Sequence, residues 1–181
     1  MEADWEVEIG RDAVVIDAAW PRFVDLRLHP ERVAEIEECG DFPALAQALK
    51  CLNSESSPVW TSKCDQWVVD DFAEFDRDEF AAADVDICAA ACYIDLLARQ
   101  PSAWGDAETA AGFCRGVVKQ LREISLPVAR VELVVRSAFL SAEEQAIGIT
   151  AYVTGGGENA EGARARLGEA LGALVQTLIS R

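Results

Sequence analysis

The chain is predicted to form one α+β domain over residues 1–181: a largely antiparallel sheet of about six strands with helices mainly on one face. Three observations predict this. Two strand-like runs followed by a helix-like run occur three times along the sequence. Apolar residues recur at every second position in the strand runs and at every third or fourth in the helical ones. Several strand runs also alternate apolar with polar residues, as in a sheet with one covered and one open face. The three units share periodicity but not residue identity, so the pattern speaks for architecture and not for duplication.

In the first unit, Trp5, Val7 and Ile9 oppose Glu6 and Glu8, and Gly10-Arg11-Asp12 reads as a turn into a second strand over 14–18, which predicts a hairpin. Residues 30–53 are helical in pattern but broken by Gly40-Asp41-Phe42-Pro43. Gly ends the first helix, Asp caps the second, and Pro sits in its first turn. In the second unit, strands are expected over 59–69 and 85–97. The latter is apolar on both faces apart from Asp86 and Asp95 and reads as a central strand. A helix over 106–124 opens at the N-cap Asp106 and carries the stripe Ala110, Phe113, Cys114, Val117, Leu121 and Ile124, with Pro127 just beyond it.

The third unit sets Val131, Leu133 and Val135 against Glu132, Val134 and Arg136, then Ile147, Ile149, Ala151 and Val153 against Thr150 and Tyr152. A helix over 158–179 follows, with Ala160, Leu167, Leu171, Leu174 and Leu178 on one face. Gly162, Gly168 and Gly172 cost that helix about 1 kcal/mol each relative to Ala, which predicts a helix backbone lying close to the sheet. The loop over 54–58 and the acidic stretch over 70–84 are too short to be domain linkers.

Acidic residues number 32 against 16 basic ones, a net charge of −16 spread through the chain. Without a Lys/Arg stripe to release counterions, nucleic acid is excluded as a partner, and anionic membrane surfaces with it. Basic proteins, cationic small molecules and metal ions are the electrostatically favoured partners, and a basic protein is the leading one. No run approaches the roughly 18 apolar residues of a membrane span, and the first ten residues hold three Glu and one Asp, so a cytoplasmic protein is expected. The six cysteines, at 39, 51, 64, 88, 92 and 114, are expected to be reduced and mostly buried.

Several local patterns invite a chemical reading. Asp70, Asp71, Glu74, Asp76, Asp78 and Glu79 interleave with Phe72, Phe75 and Phe80 and form the leading partner-binding set, with charge for steering and rings for anchoring. A calcium loop would need a central Gly that this segment lacks. Gly155, Gly156 and Gly157 with Ala160 spell a dinucleotide fingerprint. Glu158 and Glu161 oppose phosphate there and no strand follows, so a flexible strand-to-helix connection is the reading. Cys88 and Cys92 share a strand face near Cys64, but no C-x-x-C motif exists and the single histidine, His29, is far off in sequence. No metal site, no cofactor and no catalytic set is assigned, although a Cys-His nucleophile from His29 and Cys64 is an arrangement the sequence leaves open. Trp20, Arg22, Arg27, Trp60, Lys63 and Trp67 lie in two mixed aromatic and cationic segments and form a candidate ligand pocket, with Trp60 and Trp67 expected on opposite strand faces.

The leading functional expectation is a non-catalytic binding module whose acidic surface engages a basic protein, as immunity and inhibitor proteins do by class analogy. The first alternative is a small-molecule-binding domain or enzyme using the Trp20 and Trp60 segments. The second is an assembly protein that pairs through its sheet, for instance as a homodimer.

Overall fold

The two longest strands, β5 (Ala129–Ser141) and β6 (Glu144–Gly157), pair antiparallel, and the sheet is built outward from them. The computed structural model describes residues 1–18, 20–69, 88–141 and 143–180. On one side β4 (Cys88–Ala98) pairs antiparallel with β6, and β3 (Val59–Val69) with β4, so β4 is an interior strand as its two-sided apolar character requires. On the other side β1 (Glu2–Glu8) and the two-residue β2 (Ile16–Asp17) both lie along β5, parallel to it. The order is β1-β5-β6-β4-β3, with β2 also on β5.

The expected hairpin of the first unit is therefore not formed. β1 and β2 act as one interrupted edge strand: Glu8 is registered with Arg136 and Ile16 with Ala138, and residues 9–15 make an excursion in between. Parallel pairing sets Trp5 beside Leu133 and Val7 beside Val135, joining the apolar face of β1 to the buried face of β5. The long-range pairing with β5 overrides the local turn signal, although Val7 stays 47% exposed there.

Helices α1 (Pro43–Leu52), α2 (Ala107–Arg122) and α3 (Ala160–Ile179) cover the sheet face that carries Cys92, Ile94, Leu133, Val135, Ile149, Ala151 and Val153, all fully buried. Asp106 caps α2, its carboxylate accepting from Thr109 N at 2.7 Å, and Asn159 caps α3, accepting from Gly162 N at 2.9 Å. Asp41 does not cap α1. Phe42 occupies that position without a side-chain hydrogen bond, and Pro43 fills the first turn. The predicted helix before Gly40 is two 3-10 turns, Pro30–Glu35 and Glu37–Cys39, too short to repay nucleation of an α-helix.

Gly155, Gly156 and Gly157 are not a flexible connection. They belong to β6 and pair with Ala90, Ala89 and Cys88. A Cβ on Gly155 would stand 2.2 Å from Leu167 N, and one on Gly157 would stand 2.5 Å from Ala163 N. The backbone of α3 rests directly on these strand glycines. The close approach predicted from the helix glycines thus comes from the strand: a Cβ on Gly172 would meet nothing within 4 Å, while one on Gly168 would reach Ala44 of α1 at 3.2 Å.

On the face away from the helices, Ile16, Ala18, Trp60, Leu97 and Ala138 form a second, smaller core with Phe23 packed against it. Among the described residues, no helix is long and apolar enough to cross a membrane.

Candidate functional site

Register alone arranges the helix-free face into rows that cross the sheet and end on β1. Trp67, Ala91, Thr154 and Arg130 lead to Glu2. Asp65, Tyr93, Tyr152 and Glu132 lead to Asp4. Asp95, Thr150 and Val134 lead to Glu6. Trp60, Leu97, Gly148 and Arg136 lead to Glu8. The β1 edge thus carries four carboxylates at alternate positions, all exposed, and aromatic rings run inward from the opposite edge: Trp67 on β3 and Tyr93 on β4 with centroids 6.5 Å apart, Tyr93 and Tyr152 on β6 at 6.1 Å. Trp67 keeps 39% of its surface exposed.

Within this face lie two buried charged residues. Arg136 is 6% exposed. Its Nη2 donates to Tyr152 Oη at 3.3 Å, and its Nη1 lies 2.5 Å from Glu8 Oε2 as an ion pair without hydrogen-bond alignment. Nε and Nη1 are buried with no hydrogen-bond partner. The Glu8 carboxylate neutralises this buried guanidinium from the edge strand, a pair whose disruption would leave a buried charge uncompensated. Asp95 is 7% exposed and accepts from Thr150 Oγ1 at 2.6 Å. Burial raises its pKa, against the opposing pulls of the Thr150 hydroxyl, Lys63 and Arg136. Burial, with Asp95 and Asp65 nearby, also pushes the Tyr93 phenol up to about 12.

The raised Asp95 pKa has a signed consequence. An acid that holds its proton more tightly when folded stabilises the fold below its unfolded pKa, and that stabilisation is lost as pH rises through the folded value. Asp95→Asn keeps an acceptor for Thr150 and removes the charge. The variant is expected to gain stability relative to the parent between pH 4 and pH 7.5, read as the difference in urea midpoint at each pH. A difference independent of pH would show that Asp95 titrates normally.

Of the pocket residues predicted from sequence, two line a cavity, three lie around its aromatic neighbours and one lies apart. Trp20 and Arg22 line a cavity of about 210 Å³ with Val24, Glu37, Glu38 and Cys64. Trp20 Nε1 donates to Ser62 O at 3.3 Å, and Lys63 Nζ stands 5.8 Å from the centre of the Trp20 ring. Arg27 lies over the Trp60 ring at 3.8 Å and is held by Asp25 at 2.7 Å, which spends its charge locally and lowers the Asp25 pKa. Trp60 is buried in the second core. Trp67 lies at the far end of β3 with Tyr93. A register shift between Thr61 and Cys64 also brings Trp60 and Trp67 to the same face, where simple alternation sends them to opposite ones. Arg22 adopts φ 71°, a left-handed conformation uncommon for a non-glycine residue.

All six cysteines are free thiols. Burial pushes Cys39 up to about 11 and Cys92 up to about 12, and raises Cys64 further, the reverse of what a nucleophilic thiolate needs. His29 is half exposed, with its Nδ1 3.5 Å from Glu31 Oε1. Among the described residues, no three His, Cys, Asp or Glu side chains gather where they could hold a metal ion. The acidic set of Asp70, Asp71, Glu74, Asp76, Asp78 and Glu79 lies outside the described residues.

Arg136, Asp95, Tyr93 and Tyr152 were not singled out from sequence as a site. Their signal was present: Asp95 breaks an otherwise apolar run, and Arg136 sits on a strand built for the core. Comparison with known protein families, with characterised proteins and with solved structures finds no match to this chain.

Proposed function

We propose that this protein is a non-catalytic binding module that engages a cationic protein partner through the helix-free face of its sheet. The observation that carries the reading is the exposed row Glu2, Asp4, Glu6 and Glu8 on β1, which rims one edge of a face that carries Tyr93 and Tyr152 on its inner strands and Trp67 on the opposite edge. Aromatic anchors inside a charged rim are the usual anatomy of a protein interface, and the net charge of −16 steers a basic partner toward it. The raised thiol pKa values and the exposed His29 lend acid-base or thiolate catalysis no support.

The test is calorimetric titration with a lysine- and arginine-rich peptide at about 50 and about 300 mM salt. Affinity is expected to fall with salt. The triple variant Glu2→Gln, Asp4→Asn, Glu6→Gln is expected to weaken low-salt binding at least about tenfold with an unchanged melting temperature, because these exposed charges contribute little to stability. Parent-like affinity in that variant would defeat the reading.

The Trp20 cavity favours a second reading, a small-ligand site, since a left-handed Arg22 is held at its wall. A fragment screen by chemical shift that perturbs the Trp20 indole N–H, and loses the effect in Arg22→Gly, would move the assignment there.

A further inference from the structure

We infer that Trp67 and Asp65, on the helix-free face, receive an arginine side chain of the cationic partner, an inference that rests on the reading above and names the group the partner inserts. The chain shows with its own residues how such a place is filled. Arg27 lies 3.8 Å from the centre of the Trp60 ring, and its Nε and Nη2 donate to Asp25 at 2.9 and 2.7 Å, so one flat guanidinium is stacked on an indole and held at its edge by a carboxylate. Arg115 over Trp5 at 5.2 Å and Lys63 over Trp20 at 5.8 Å repeat the cation-on-indole part. Trp104 is buried against Phe113. Of the five tryptophans this leaves Trp67, whose 39% exposed ring has no cation over it among the described residues.

Trp67 has the two other parts of the Arg27 arrangement. Asp65 lies two positions earlier on β3 and shares its face, about 7 Å along the strand, within the span of a guanidinium stacked on the indole. Asp65 is exposed and accepts from the Gln66 backbone N–H at 2.7 Å, and no Lys or Arg among the described residues pairs with it. Tyr93, the register partner of Asp65, extends the platform with its ring 6.5 Å from that of Trp67. Burial, with Asp95 and Asp65 nearby, keeps the Tyr93 phenol protonated up to about 12, so the platform itself is uncharged. A guanidinium suits this place better than an ammonium. It lies flat on an aromatic face while giving two parallel N–H bonds to one carboxylate, and it sheds its water more readily.

The test titrates the intact chain at low salt with two capped peptides, identical except that every charged position is arginine in one and lysine in the other. The arginine peptide is expected to bind about three- to fivefold more tightly and to shift the Trp67 indole N–H resonance saturably. Trp67→Leu is expected to make the two affinities equal. Trp67→Phe keeps an aromatic face and is expected to retain most of the preference, which separates loss of the ring from damage to the strand. Asp65→Asn removes the carboxylate and is expected to reduce the preference. Equal affinities in the parent, or a preference that survives Trp67→Leu, would overturn the assignment. Equal and salt-sensitive binding of both peptides, weakened by the β1 triple variant, would overturn it while leaving the cationic-partner reading in place; binding of neither peptide would overturn both.

Discussion

Gly155→Val is expected to abolish the native packing of α3 on the sheet, at a cost on the order of 3 kcal/mol or more. The site leaves no route for relaxation. A Cβ at 155 would lie 2.2 Å from Leu167 N and 2.7 Å from Arg166 C, and these are backbone atoms in the interior of a helix, not the ends of side chains. The strand cannot retreat either, because Gly155 is registered with Ala90 on one side and Ala129 on the other. Gly172→Ala provides the contrast. An added Cβ there meets nothing within 4 Å, so the substitution is expected to stabilise α3 by up to about 1 kcal/mol through helix propensity. Urea unfolding midpoints of the two variants check both signs at once. A parent-like midpoint for Gly155→Val would mean that α3 does not rest on β6.

Leu133→Ala is expected to cost about 3–5 kcal/mol, the range of large cavities in close-packed cores, and to lower the melting temperature by roughly 10 °C. Leu133 is fully buried at the centre of β5, with Trp5 on one side and Ala151 on the other, and faces the helices. One residue earlier, Glu132 points to the opposite face, and its contact with Arg130 spans 3.8 Å at partly exposed side chains. Glu132→Ala is therefore expected to cost no more than about 1 kcal/mol. Thermal unfolding of the pair measures the two-sidedness of the sheet directly. Comparable losses from both would contradict a core confined to one face at this position.

The strands and helices were legible because their periodicities are local. The alternation in β5 and β6, the Asp106 cap and the apolar stripe of α2 all state their structure within a few residues. The pairing of β1 was not legible in the same way. Gly10-Arg11-Asp12 carries a turn signal, but β1 pairs instead with β5, beside Leu133 and Val135, and that partner lies far along the chain. The glycines of β6 were read as loop because nothing local reveals that the backbone of a helix lies on them. Of the predicted pocket set, Trp20 and Arg22 line one cavity, while Arg136 and Asp95 acquire meaning only once register places them on the same face as Tyr93 and Tyr152.

The parallel docking of β1 also dictates an order of events during synthesis. β1 has no partner until β5 exists, and Arg122 Nε, which donates to Ala3 O at 2.8 Å, reaches it across 119 residues. Such remote closure is slow, since the entropy of the intervening loop must be lost before any contact rewards it. Until then the first strand waits as an unpaired segment bearing Trp5, Val7 and Ile9, the kind of segment that recruits other nascent chains. The alternating carboxylates at Glu2, Asp4, Glu6 and Glu8 charge every second position of that waiting strand. In the completed sheet they form a rim, and on the unpaired strand their like charges oppose its pairing with the same strand of another chain.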